Sequence, residues 1–145
     1  MRNAIVVKEK EDIFQELKNF DPTKTIILEE NIKQKHFQGN FQPALITSYH
    51  PNRISIEVNL KNPGFLFLGD IWFPGWKAFD NGKEKKVMKA NYAFRSVFLE
   101  PGEHRVEFVY DPLSYKIGKI ISLLTLFLLL TYGFFAWKRK KELNF

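Results

Sequence analysis

Apolar and polar positions alternate through the middle of the chain. In residues 53–60, Ile54, Ile56, Val58 and Leu60 alternate with Ser55, Glu57 and Asn59, the two-residue period of a strand with one buried and one wet face. Residues 44–50 precede it across Pro51-Asn52, and Asn62-Pro63-Gly64 turns the chain after it. Residues 65–71 are almost continuously apolar, which predicts a strand covered on both faces. Pro74-Gly75 breaks that run, and residues 76–79 lead into Asp80-Asn81-Gly82-Lys83. Asn-Gly is a strong hairpin signal because both residues tolerate positive φ. Strands over 87–90, 94–99 and 105–110 follow, the last two separated by Pro101-Gly102. Short strands every 8–12 residues with turn residues between them predict an antiparallel β-sandwich. Ahead of it, residues 4–7 and 25–28 read as strands. Residues 9–20 read as a short amphipathic helix carrying Ile13, Phe14, Leu17 and Phe20. Asp12 is a candidate first residue, Glu9 and Glu11 also favour its start through the macrodipole, and Asp21-Pro22 stops it. Residues 29–41 are polar and aperiodic and read as a loop.

The pattern then changes completely. Residues 120–137 (IISLLTLFLLLTYGFFAW) carry no charge and are followed by Lys138-Arg139-Lys140-Lys141. A helix over residues 115–137 would be roughly 34 Å long, enough to cross a ~30 Å hydrocarbon core. Tyr115 at one end and Tyr132 and Trp137 towards the other suit interfacial anchors, and Lys116 and Lys119 can snorkel outward. The basic cluster is a positive-inside signal. The chain therefore divides into a mainly β extracytoplasmic domain (1–114), one transmembrane helix (115–137) and a basic cytoplasmic tail (138–145). It is expected to make a single pass through a bacterial cell membrane.

Charge sharpens this division. Of the net +6, residues 1–114 contribute +1 and residues 115–145 contribute +5, so the basicity belongs to the membrane segment and points to anionic lipid rather than nucleic acid. There is no cysteine, hence no disulfide or thiol chemistry. The first residues hold too short an apolar run to export the domain, since Lys8-Glu9-Lys10-Glu11-Asp12 follows at once. The expectation is that this chain is the C-terminal piece of a larger polytopic protein, whose earlier helices carry the domain across and serve as its partner.

Several segments match a known pattern in the same order. Phe20-Asp21-Pro22-Thr23-Lys24-Thr25 and Leu28-Glu29 come first. Phe73-Pro74-Gly75-Trp76-Lys77-Ala78, Gly82-Lys83-Glu84 and Lys89-Ala90-Asn91-Tyr92-Ala93-Phe94-Arg95 follow, then Pro101-Gly102-Glu103-His104 and Val106-Glu107-Phe108-Val109-Tyr110. Over about residues 4–137 the chain resembles the C-terminal region of bacterial YfhO-type membrane proteins. Asn81 stands where that pattern more often has Asp. The family in turn resembles GT-C glycosyltransferases, which draw sugars from polyprenyl phosphate and decorate cell-envelope polymers outside the membrane. In that class the catalytic acids lie near the first helices, so the resemblance carries no catalytic residue onto this chain and implies a non-catalytic portion without a cofactor. An envelope glycan or a polyprenyl-linked sugar is the partner it implies.

Within the β domain, Trp76, Tyr92 and Phe94 with Lys77, Asn91 and Arg95 have the chemistry of a sugar-binding surface. Aromatic rings stack on pyranose faces, and amide or guanidinium groups bond hydroxyls. Trp76, Asn91, Tyr92 and Arg95 are the substrate-binding candidates. The competing structural reading makes Trp76 a core residue or strand-corner plug and Asn91-Tyr92 a turn; Arg95 also suits a lipid phosphate at the membrane surface. His36, His50 and His104 are scattered without ligand spacing, so no metal site is expected. Ser96, Ser114 and Ser122 lack a nucleophile-elbow context. Asp70, Asp80 and Asp111 stand near turns, where short-range capping bonds are their expected role. Lys83, Lys85, Lys86 and Lys89 read as a solvated face that can also attract polyanions or lipid headgroups. The competing function, from another class, is a free-standing membrane-anchored module that binds a glycan or a protein.

Overall fold

A computed structural model describes residues 3–7, 9–18, 20–30 and 42–143. The loop expected over 29–41 lies outside the described residues from 31 onward, as does His36. The chain divides into two compact units, residues 1–111 and 112–145.

The first unit is a sandwich of two five-stranded sheets. One has the order β1-β2-β8-β9-β5, from β1 (Asn3–Val6), β2 (Thr25–Leu28), β8 (Met88–Ala90), β9 (Phe94–Leu99) and β5 (Gly64–Ile71). The other has the order β3-β4-β10-β6-β7, from β3 (Leu45–His50), β4 (Arg53–Leu60), β10 (Gly102–Tyr110), β6 (Trp76–Asp80) and β7 (Lys83–Lys85). All pairings are antiparallel except β1 with β2. That pair is parallel because helix α1 (Lys10–Lys18) connects its strands, and a parallel pair needs such a crossover. The antiparallel sandwich predicted from strand and turn spacing is thus present, with β1–β2 as a parallel pair at one edge.

Packing follows the two-residue period. Ile54 and Ile56 of β4, Val106 and Phe108 of β10, Val97 and Leu99 of β9, and Leu66 and Leu68 of β5 share one inter-sheet core. Each such side chain contributes roughly 1.5–3 kcal/mol on burial. The outer face of the first sheet has a second cluster, with Ile26 and Leu28 of β2, Phe65 of β5 and Met88 of β8. The fully buried Ile13 lies on α1. Strand β5 is therefore covered on both faces only along its first half. Gly64 to Leu68 is buried apart from a half-buried Phe67, but Ile71 at its end is 70% exposed. The expectation of full coverage fails there because β5 is an edge strand and loses its regular register after Leu68.

Turn chemistry holds where the sequence signals it. Asn81 and Gly82 both have positive φ (48° and 81°), as a type I′ hairpin requires, and the hairpin adds β7, a short strand the apolar pattern does not reveal. Helix α1 ends at Lys18, and Asp21 organises the following turn. Its carboxylate accepts from the Thr23 backbone (2.9 Å) and hydroxyl (2.6 Å), and its carbonyl accepts from the Lys24 and Thr25 amides.

The second unit is a single helix, α2 (Leu113–Leu143), about 46 Å long and continuing through the basic cluster. Residues Leu113–Lys140 form a stretch long and apolar enough to cross a membrane, and none of that surface is buried against protein. The Thr125 hydroxyl bonds the Ile121 carbonyl and the Thr131 hydroxyl that of Leu128, both at 2.9 Å. These bonds satisfy polar groups that hydrocarbon could not.

Candidate functional site

The most concentrated polar chemistry of the β unit lies between the sheets, around Arg95. Along β9, Arg95, Val97 and Leu99 share the inward face, so the strand period aims the guanidinium at the opposite sheet. Its side chain is only 2% exposed. A buried cation needs a counter-charge, and an irregularity in β5 supplies it. Leu68 pairs with Arg95 and Ile71 with Phe94, leaving Gly69 and Asp70 as extra residues in the ladder. The irregular segment brings the Asp70 carboxylate to 2.8 Å from Arg95 Nη2. Tyr49 of β3 donates its hydroxyl to the same carboxylate at 3.0–3.1 Å, tying the two sheets together.

Trp76, the first residue of β6, covers the guanidinium. Its ring centroid lies 3.7 Å from Arg95 Cζ, with the Phe108 ring at 5.6 Å. That is a cation–π contact with little water around it. Tyr110 packs on Trp76 at 5.2 Å and Phe73 on Tyr110 at 6.5 Å, extending the aromatic group to the end of the sandwich. Arg95 Nε and Nη1 have no hydrogen-bond partner, so the π-face stands in for solvent on that side. Burial pulls the guanidinium's proton affinity below its ordinary value, opposed by the charge of Asp70 and by Tyr49. The hydrogen bond that Tyr49 donates to Asp70 pushes the hydroxyl's pKa up, because ionisation would break that bond and also place two anions side by side.

Asn91 and Tyr92 stand elsewhere. They form the β8–β9 turn with positive φ at both positions (47° and 71°). Asn91 is buried and grips Ile27 of β2: its amide donates to the Ile27 carbonyl, and its side-chain oxygen accepts from the Ile27 amide, both at 2.8 Å. The Tyr92 ring meets Phe14 of α1 at 4.8 Å and Lys89 Nζ at 4.9 Å. The four candidates thus fall into two places: Arg95 with Trp76 between the sheets, and Asn91 with Tyr92 against β2 and α1. Phe94 belongs to neither; its ring packs edge-on against Phe67. Lys77 pairs with Asp111 at 3.3 Å. The lipid-phosphate role for Arg95 is corrected by its burial, since the guanidinium does not reach the surface.

The aspartates read as turn formers make long-range pairs instead. Besides Asp70 with Arg95 and Asp111 with Lys77, Asp80 Oδ1 lies 2.9 Å from His104 Nδ1. His104 Nε2 lies 2.8 Å from the Glu100 carbonyl, so both ring nitrogens face acceptors. Asn81 fastens the same end, accepting from the Arg105 amide and donating to the Glu103 carbonyl. Spacing alone does not reveal these pairs, because each joins residues more than twenty positions apart except that of Glu100. The sequence signal that existed was weaker: a lone acid at the end of an apolar strand opposite an inward-facing arginine. Among the described residues, no three His, Cys, Asp or Glu side chains gather closely enough to hold a metal ion.

Residues 25–122 match the family described as bacterial membrane protein YfhO. The Bacillus subtilis (strain 168) protein YfhO, itself uncharacterized, is 31% identical over 109 residues, which is 73% of this chain. The chain spans 13% of that relative's length. No solved structure matches.

Proposed function

The chain belongs to the YfhO family of bacterial membrane proteins, and from that membership we propose that it forms the C-terminal, non-catalytic portion of a machine that glycosylates cell-envelope polymers with polyprenyl-phosphate-linked sugars. Its membrane association follows from the family and from the bare apolar surface of α2. The observation that carries the non-catalytic reading is how the charged groups are spent. Arg95 is held by Asp70 and Trp76, and His104 by Asp80 and the Glu100 carbonyl, so each serves the sandwich. Tyr115 and Trp137 would anchor α2 at the two interfaces. The run Lys138, Arg139, Lys140 and Lys141 favours the cytoplasmic side for the tail and the outer side for the β unit.

The relative offers the test. Excising the matching region from Bacillus subtilis YfhO, with its upstream helices retained, should lower the sugar content of the envelope polymers. Unchanged glycosylation in that strain would sink the reading. For the topology, external protease should digest residues 1–111 and spare a tag after Phe145; a protected β unit would reverse the assignment.

A further inference from the structure

The β sandwich has two unlike ends. At one end the turns are polar: Lys61-Asn62-Pro63, Asp80-Asn81-Gly82-Lys83 and Glu100-Pro101-Gly102-Glu103. At the other end the polar β3–β4 turn, His50-Pro51-Asn52-Arg53, stands with the apolar β5–β6 connection, Ile71-Trp72-Phe73-Pro74-Gly75. Here Ile71 is 70% and Phe73 58% exposed, an arrangement that water penalises. The connection is built rather than loose. The Trp72 amide donates to Ala93 at 2.7 Å, the Asp111 amide donates to the Gly75 carbonyl at 2.8 Å, and Phe73 packs on Tyr110. Ile71 and Phe73 are therefore held outward on a hydrogen-bonded backbone, with Trp72 half-buried between them.

Chain continuity identifies what covers them. Tyr110 pairs with Trp76 at this end, and only Asp111 and Pro112 separate it from Leu113, the first residue of α2. Three residues cannot span more than roughly 11 Å. Along the chain, the membrane-spanning segment thus begins three residues after the strand end that pairs with Trp76. Trp and Phe beside Ile are the side chains that partition into the headgroup boundary of a bilayer.

We infer that the Ile71-Trp72-Phe73 tip inserts into the interfacial layer of the bilayer that α2 enters, making a second membrane contact for the β unit. The inference rests on the membrane association of α2 and is independent of the glycosylation reading.

Because the chain has no cysteine, single variants Ile71→Cys, Phe73→Cys, Lys83→Cys and Leu126→Cys of the full chain can each carry one nitroxide. The label set is read in vesicles of phosphatidylethanolamine and phosphatidylglycerol by power saturation. Oxygen serves as the hydrocarbon-soluble relaxant and a nickel chelate, present on both sides, as the aqueous one. The labels at 71 and 73 should lose most of the nickel collisions that the label at 83 experiences, and fall between it and the label at 126. The label at 126 reports whether α2 occupies hydrocarbon in the same vesicles. If it does, and labels 71 and 73 meet nickel as freely as label 83, the proposal is overturned while the membrane association stands. Ile71→Cys guards against a folding defect in Phe73→Cys, because Ile71 is the more exposed of the two.

Discussion

The guanidinium of Arg95 lies 3.7 Å from the ring centroid of Trp76, one residue on each sheet, with almost no solvent between them. This contact and the 2.8 Å bond to Asp70 are what allow a full positive charge inside a β-sandwich. The arrangement makes the polar centre of the domain a structural joint, and its energetics can be tested one partner at a time.

Removing Asp70 strands the buried charge. Asp70→Ala should destabilise the β unit by about 3 kcal/mol, the lower end for breaking a buried pair, because the carboxylate is itself 29% exposed. Adding Arg95→Met should recover part of that loss, since an apolar chain of similar length has no charge to strand. Denaturant unfolding of the detergent-solubilised chain measures both. A double variant less stable than Asp70→Ala would show that Arg95 contributes chiefly through its contacts with Trp76 and Phe108.

Trp76 separates a structural role from a stacking one. It packs against the inter-sheet core and shields Arg95. Trp76→Ala should cost roughly 3–5 kcal/mol and broaden the unfolding transition, whereas Trp76→Phe should keep most of the stability. A fully stable Trp76→Ala protein that failed only in glycan engagement would restore Trp76 as a sugar platform.

The hairpin glycine tests backbone strain in isolation. A side chain built at Gly82 meets nothing within 4 Å, so the penalty of Gly82→Val comes from its φ of +81° alone. The expected loss is about 1–2 kcal/mol, read as a lower Tm. Gly69→Ala, also open to space and without a positive φ, should be nearly silent in the same assay.

Asp21 predicts an acid dependence. The Thr23 hydroxyl and amide, with Lys24, hold its carboxyl well below the usual carboxylate range. A depressed folded-state pKa means a stabilising contribution present in full above the unfolded value near 4 and lost as the pH falls below it. Asp21→Asn should flatten the stability profile between about pH 4 and pH 2 and change it little at pH 7 in slope. An unchanged slope in the acid range would mean that this turn does not couple to folding.

Much of this protein was legible in its sequence, because the relevant physics is local. A period of two marks β4, whichever strands become its neighbours. Asn81-Gly82 reverses the chain because its backbone accepts positive φ, and residues 120–137 demand hydrocarbon because no charge interrupts them. Motif order, also local information, pointed to the YfhO family that the comparison then showed. Tertiary structure decided the rest. Nothing near β10 says that it will lie between β4 and β6, nor that β1 will pair in parallel with β2, because pairing is selected by burial summed over distant segments. Asp70 resembles any acid near a turn until the irregularity after Leu68 turns it towards Arg95, twenty-five residues away. Asn91 likewise reads as a turn residue, yet its side chain replaces a missing strand partner for Ile27. Local sequence set which elements form; the cost of burying charge and unpaired backbone decided which distant residues had to meet.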